Sequence, residues 1–264
     1  MKIGLISDIH GNQQALTKVL NQLYLERVDL ILCAGDLVCY GAHCNQVLDL
    51  MRSCAIPCVT GNYDAAVGWN WPSASSKPSS PATEALKQAA LVWTKRNLHS
   101  KHRDYLRGLP WTLSYHFDKL RLVVIHAGLL QLDEWYTPED PAALCALAAQ
   151  VAADIIVLGH THQPFVYEVE YALGRKTLFI NPGAVGRSLD GDTRAAYAIL
   201  QTVTRTVQLQ RIVYDLKLTV QAIMQSGMPP EIGLLVQHGA RRLEHLPPAI
   251  LEQLHTQPVR MNGA

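Results

Sequence analysis

The sequence predicts an α/β protein in which two mixed β-sheets pack as a sandwich with helices on the outer faces. Three observations carry this reading. Short β-branched and leucine-rich runs alternate with amphipathic helical patterns over the first sixty residues. Beyond Pro110 the pattern changes to a hairpin and a series of closely spaced strands. Polar donors stand where the apolar runs stop: Asp8 and His10, Asp36, Asn62, His126, and His160 with His162. In parallel sheets, ligands bind at the carboxyl ends of strands, so these side chains are expected at one edge.

The first strand is expected at residues 2–7. Asn12 then offers a side-chain acceptor for the start of a helix whose Ala15, Leu16, Val19, Leu20 and Leu23 share one face. A second strand ends at Ala34. A second helix over residues 45–53 turns Val47, Leu48 and Met51 inward, and a third strand ends at Thr60. This β-α-β-α-β order implies parallel strands joined by right-handed crossovers. Residues 70–81, rich in serine and proline, read as a mobile loop over the site, and helical periodicity resumes over 83–98. Strands at 112–116 and 120–126 form a hairpin across Asp118-Lys119. A helix is expected over 139–152 and a strand at 155–158. Strands at 165–170, 176–181, 195–202 and 206–213 read as successive antiparallel neighbours, amphipathic helices follow from Asp215, and residues 257–264 read as a frayed end. Residues 1–215 are thus expected to form the main domain, with 216–264 a helical extension packed on it.

The 264 residues carry a formal net charge of +1, which gives no signal for binding a nucleic-acid polymer. No apolar run is long enough to span a membrane, and the first strand leaves no room for a signal peptide, so a cytoplasmic protein is expected. Six cysteines occur without a C-x-x-C pair, which argues for reduced structural thiols and against a zinc ribbon. His43, His99, His102, His116, His238 and His245 lie outside any motif and are expected in solvent. Arg241 and Arg242 read as a charged helix face, and Trp135 as helix packing.

The strand-end set has a definite chemistry. Clustered carboxylates and imidazoles suffer repulsion and desolvation unless a cation joins them. In Asp8-Ile9-His10 and His160-Thr161-His162 an extended backbone would place both outer side chains on one side. Oxygen and nitrogen donors without sulfur suit manganese, iron, nickel or zinc.

Asp8-x-His10, Gly35-Asp36, Gly61-Asn62-x-Asp64, His126-Ala127-Gly128 and Gly159-His160-Thr161-His162 together resemble the five blocks of the calcineurin-like metallophosphoesterase superfamily. The run Asn181-Pro182-Gly183-Ala184 is similar to the N-P-G-S loop of its small bacterial phosphodiesterase branch. The resemblance implies a four-layer α/β/β/α fold and two divalent metal ions, manganese being the ion expected in vitro. It assigns Asp8, His10 and His162 to one ion, Asn62, His126 and His160 to the other, and Asp36 to both. It further implies hydrolysis of a small phosphoester by in-line attack of a hydroxide bridging the ions, with Asn62 stabilising the transition state. Asn181, Gly183 and Arg187 are the expected substrate contacts, and a homo-oligomer is compatible with the pattern.

Many members of the family carry histidine where this sequence has Tyr63. A phenol is a weaker proton donor near neutrality, so phosphodiesters with good leaving groups are the expected substrates. Asp64, which in the family orients that histidine, is expected here to support His10 or Tyr63. The competing functions are a phosphomonoesterase acting on phosphoproteins or nucleotides, and a non-catalytic calcineurin-like scaffold.

Overall fold

The computed structural model describes residues 1–75, 79–117 and 119–256, with side chains to residue 252. β1 (Lys2–Ile6) pairs in parallel with β2 (Leu30–Cys33). The chain returns much later to complete that sheet: β8 (Ala195–Gln201) lies antiparallel to β1, and β9 (Thr206–Ile212) antiparallel to β8, in the order β2-β1-β8-β9. The second sheet holds β3 (Thr112–Phe117), β4 (Leu120–Ile125), β5 (Ile155–Val157), β6 (Phe165–Tyr171) and β7 (Arg175–Asn181) in the order β3-β4-β5-β7-β6. Its centre, β4-β5-β7, is parallel.

Alternation along the strands explains the layering. Ile3, Leu5, Leu32, Val124, Val157 and Ile180 point between the sheets and are fully buried. The intervening residues face helices. Ile6 and Cys33 join α1 (Gln13–Leu25) and α2 (Cys44–Ser53) on one side. Val123, Ile125, Ile156 and Phe179 join α6 (Pro141–Val151) on the other. Full burial of each such aliphatic side chain contributes roughly 1.5–3 kcal/mol. The result is the expected sandwich, helices outside two mixed sheets.

The first helix starts as its sequence specifies. Asn12 Oδ1 accepts from Ala15 N at 3.0 Å, and Asn12 Nδ2 donates to Gly186 O at 2.9 Å. The same side chain therefore caps α1 and pins the loop after β7.

Four expectations need correction. The third strand, ending at Thr60, is reduced to one bridge between Cys33 and Cys58. Pro57 has no N–H to donate, and the segment pairs with β2 through Cys33 N→Pro57 O (2.9 Å) and Val59 N→Cys33 O (3.1 Å). Two helices lack an apolar stripe and escaped the periodicity: α3 (Asn62–Gly68), buried on every side, and α5 (Ser100–Arg107), which buries only His102 and Leu106. His102 is therefore not in solvent; it is fully buried, its Nε2 3.3 Å from Asp49 Oδ1. The last four strands are not one meander, because between β7 and β8 the chain crosses from one sheet to the other.

Between those regions α4 (Pro81–Asn97) begins at a Ser80 cap. After β9 come α7 (Leu216–Gln225), α8 (Pro230–His238) and α9 (Pro248–Thr256). α7 lies against α1 and α8 against α4, and Ile223, Ile232 and Val236 enter the same core as α1 and α2. The Asp118 corner of the hairpin, residues 76–78 of the serine- and proline-rich loop, and the expected frayed end at 257–264 lie outside the described residues. No helix among the described residues is long and apolar enough to cross a membrane.

Candidate metal centre

Asp8, Asp36, His126 and His160 each follow a strand, and the parallel strands of both sheets end at the same edge. The loops are stitched together across the sandwich: Asp8 N→Gly35 O (2.9 Å), His10 N→Asp36 O (3.0 Å), Gly159 N→His126 O (2.9 Å) and His160 N→Asp8 Oδ2 (3.1 Å). The backbone is not extended here. Asp8, His10, Asp36, His160 and His162 all adopt left-handed conformations, with φ between 47° and 66°. Each such residue costs roughly 1–2 kcal/mol relative to ordinary backbone. The two side chains of Asp8-x-His10 therefore converge through tight turns rather than through strand alternation. In His160-Thr161-His162 the same curvature sends the two rings to different partners. Gly61 is required at its position because a Cβ there would collide with the Asp36 carboxylate.

The seven predicted donors come together. Asp8, His10 and His162 form one group whose donor atoms lie within 4.8 Å of one another; Asp8, Asp36 and His126 form a second. His126 and His160 both face Asn62 Oδ1, at 3.0 and 3.1 Å. Asp36 Oδ2 lies 3.7 Å from His10 Nε2 of the first group and 3.6 Å from His126 Nε2 of its own.

Hydrogen bonds at the rear of the rings decide what faces inward. His10 Nδ1 donates to Val38 O (3.1 Å), His126 Nδ1 to Ala34 O (2.6 Å), and His162 Nδ1 to Arg187 O (2.5 Å). A carbonyl can only accept, so each Nδ1 carries the proton. Burial holds His10 and His162 well below the usual histidine range, so both are neutral and their Nε2 atoms present lone pairs. Those two atoms stand 3.3 Å apart, with Asp8 Oδ1 3.3 Å from His162 Nε2. Asp8 Oδ1 is buried and has no hydrogen-bond partner. Asn62 Nδ2 donates to Ala74 O (2.9 Å), which turns Oδ1 towards His126 Nε2 and the His160 ring. In the group of Asp8, His10 and His162 acceptor faces acceptor, an arrangement that a cation resolves, and the residues fit divalent metal.

The carboxylates agree. Burial pushes Asp8 up to about 7. Asp36 is raised well above the carboxylate range by burial and by the neighbouring Asp64 charge. Asp64 forms no hydrogen bond with the side chain of His10 or Tyr63. Its oxygens accept from Leu37 N (2.8 Å) and Gly61 N (3.1 Å), clamping the turns that carry Asp36 and Asn62.

Around the centre lies a cavity. Tyr63 lines it, its hydroxyl bonded to that of Tyr40. Arg187 lines it too, with its guanidinium 4.0 Å over the Tyr40 ring and its buried Nε without a hydrogen-bond partner. Asn181 and Gly183 are not among the lining residues. Asn181 is fully buried, donating to Gly159 O and Thr161 Oγ1 and accepting from Gly183 N, so it braces the loop that carries His160 and His162. Sequence reasoning missed Tyr40, Trp135, Arg241 and Arg242 as lining residues. Trp135 meets the His160 ring edge-on, 5.5 Å between centroids. The two arginines follow Gly239, the left-handed cap (φ 58°) that ends α8, so they lie beyond the helix rather than on its face. That glycine was the readable signal.

This fold, with Asp and His groups that could hold metal at its strand ends, is that of the metallophosphoesterases. The model of the calcineurin-like phosphoesterase superfamily domain matches residues 1–205, and the chain belongs to that superfamily. An uncharacterised protein of Methanocaldococcus jannaschii is 29% identical over 247 residues, 88% of this chain and 95% of that one. A probable metallophosphoesterase of Methanothermobacter thermautotrophicus is 25% identical over 186 residues, 70% of this chain and 77% of the relative. The crystal structure of a metallophosphoesterase from Sphaerobacter thermophilus superposes with a TM-score of 0.73 at 27% identity, covering 91% of this chain and all of that one.

Proposed function

We propose that the protein hydrolyses small phosphodiesters with two divalent cations, manganese serving in vitro. Asp8, His10 and His162 hold one cation, Asn62, His126 and His160 the other, and Asp36 both. The observation that carries this reading is the pair of inward lone pairs on His10 and His162, 3.3 Å apart, beside the unpartnered Asp8 Oδ1. Bound cations supply Lewis acidity, acidifying water and offsetting phosphoryl charge.

The chain's own residues do the rest. Val38, Ala34 and the Arg187 carbonyl hold the imidazole protons away from the centre. Ala74 O fixes the Asn62 amide. Arg187 brings a guanidinium with an unused donor to the cavity, suited to a phosphoryl oxygen. Tyr63 supports the diester preference. Burial and the adjacent Tyr40 hold its hydroxyl well above the ordinary phenol range, so it is a poor acid for an alkoxide leaving group.

The test compares bis(4-nitrophenyl) phosphate with 4-nitrophenyl phosphate and an alkyl phosphomonoester, each with manganese. We expect kcat/KM for the diester to exceed that for the alkyl monoester by more than about 100-fold, since general-acid assistance contributes ~10²–10⁴-fold where present. Faster turnover of the alkyl monoester would refute the proposal. Tyr63→His is expected to speed hydrolysis of esters with alkoxide leaving groups by about tenfold or more, and to change aryl esters little. Measuring rate against leaving-group pKa for both forms checks this, and parallel slopes would deny Tyr63 the role.

A further inference from the structure

The cavity beside the metal centre has a second, cationic wall that the hydrolysis of a simple diester does not use. It comes from the segment after α8: Arg241 and Arg242 line the same cavity as His160, His162 and Arg187. The Arg241 guanidinium lies 4.4 Å over the Trp135 ring, and the same ring meets His160 edge-on. Burial, then the charges of Arg242 and Arg187, hold Arg241 below the usual arginine range, which places the three guanidiniums within electrostatic reach of one another. Among the described residues none of the three forms an ion pair with a carboxylate. Lys87, on the same wall, is already bonded to Ser79 and Glu84.

The segment is anchored rather than loose. Ser80 Oγ, the cap of α4, donates to Glu244 Oε1 at 3.2 Å. Gly191 N donates to Gly239 O at 3.1 Å, tying the arginine segment to the loop that carries Arg187. Leu235, Ala240 and Leu246 close over Leu86 of α4 in a small apolar cluster. Three guanidiniums held together against a cavity, one with a buried donor unused, cost free energy that an anion would offset.

We propose that Arg241 and Arg242, on the cavity that Arg187 also lines, form a second phosphate subsite, so that the preferred substrate is a phosphodiester bearing a further phosphate group. This rests on the phosphodiesterase reading above and adds a specificity determinant to it. The carboxylate Asp133, also on the cavity wall, accepts from Ser75 Oγ at 3.2 Å.

The test uses a matched pair with one scissile bond and one leaving group: thymidine 5′-(4-nitrophenyl phosphate), with and without a 3′-phosphate. In the manganese-loaded wild type the 3′-phosphate is expected to raise kcat/KM by about tenfold or more, the scale of one charge-assisted hydrogen bond. In Arg241→Ala/Arg242→Ala that ratio is expected to fall to near one, and in Arg241→Lys/Arg242→Lys to remain above one. Calorimetric affinities of thymidine 3′,5′-bisphosphate and thymidine 5′-monophosphate supply the same ratio without turnover. The single variants Arg241→Gln and Arg242→Gln, checked by thermal unfolding, carry the test should the double variant fold poorly. A wild-type ratio near one, or a ratio that survives the double substitution, overturns the subsite. Absence of hydrolysis with an intact affinity ratio overturns the phosphodiesterase reading and leaves the subsite standing.

Discussion

Asp36→Asn is expected to lower kcat/KM on an aryl phosphodiester by on the order of 10³-fold, the scale on which one preorganised electrostatic element acts in catalysis. It should also leave the purified protein with less than its full complement of metal. Asp36 Oδ2 sits between His10 and His126, 3.7 and 3.6 Å from their Nε2 atoms, so one carboxylate serves both donor groups. Asparagine is nearly the same shape, and its carbonyl oxygen can still accept from Tyr63 N, which Asp36 Oδ1 does at 2.9 Å. The loss would therefore report charge rather than collapse. Elemental analysis of metal per chain, together with kinetics across a manganese titration, makes the check. A variant that keeps both ions and wild-type turnover would remove Asp36 from its shared position.

Asp8→Asn is expected to invert stability according to metal content. In metal-free protein at pH 8 the variant should be the more stable form, by up to roughly 4 kcal/mol for a shift of about three pH units at ~1.36 kcal/mol each. The sign follows from linkage. Asp8 is pushed up to about 7 by burial, from an ordinary 3.8. The native state thus holds its proton more tightly than the unfolded chain does. The stability this confers is complete below pH 4 and is lost as pH rises through 7. The variant has no such proton to lose, so its advantage should vanish below about pH 4 and grow to a plateau above 7. With saturating manganese the order should reverse, because the wild type gains binding free energy that the variant lacks. Thermal unfolding at several pH values, with and without metal, reads all four arms; equal stabilities throughout would exclude a strained carboxylate at Asp8.

The sandwich was legible because its signals are local and redundant. Asn12 before an i, i+3, i+4 apolar stripe specified α1, and the leucine- and valine-rich runs at β1, β2, β4 and β5 stopped at the very residues that form the centre. What escaped depends on tertiary context. α3 is buried all round, so it has no periodicity to read, and α5 presents a histidine where a helix face normally offers an aliphatic residue. The left-handed turns at Asp8, His10, Asp36, His160 and His162 were not readable from residue type, since aspartate and histidine are enriched in that conformation but adopt it only in a minority of cases. Asp64 and Asn181 carry family positions, yet their contacts are with backbone, which only the folded loops reveal. Arg241 and Trp135 meet across nearly the whole second half of the chain, a pairing that spacing cannot encode.

The bond from Asn62 Nδ2 to Ala74 O has a consequence of its own. Ala74 belongs to the serine- and proline-rich connection, and through this one amide that connection fixes which face Asn62 offers to the centre. Thermodynamic reciprocity then applies: if cation binding favours the present amide orientation, it must stabilise this placement of Ala74 by the same free energy. Sequence changes near Ala74, far from every donor atom in covalent terms, would thereby be felt as changes in metal affinity.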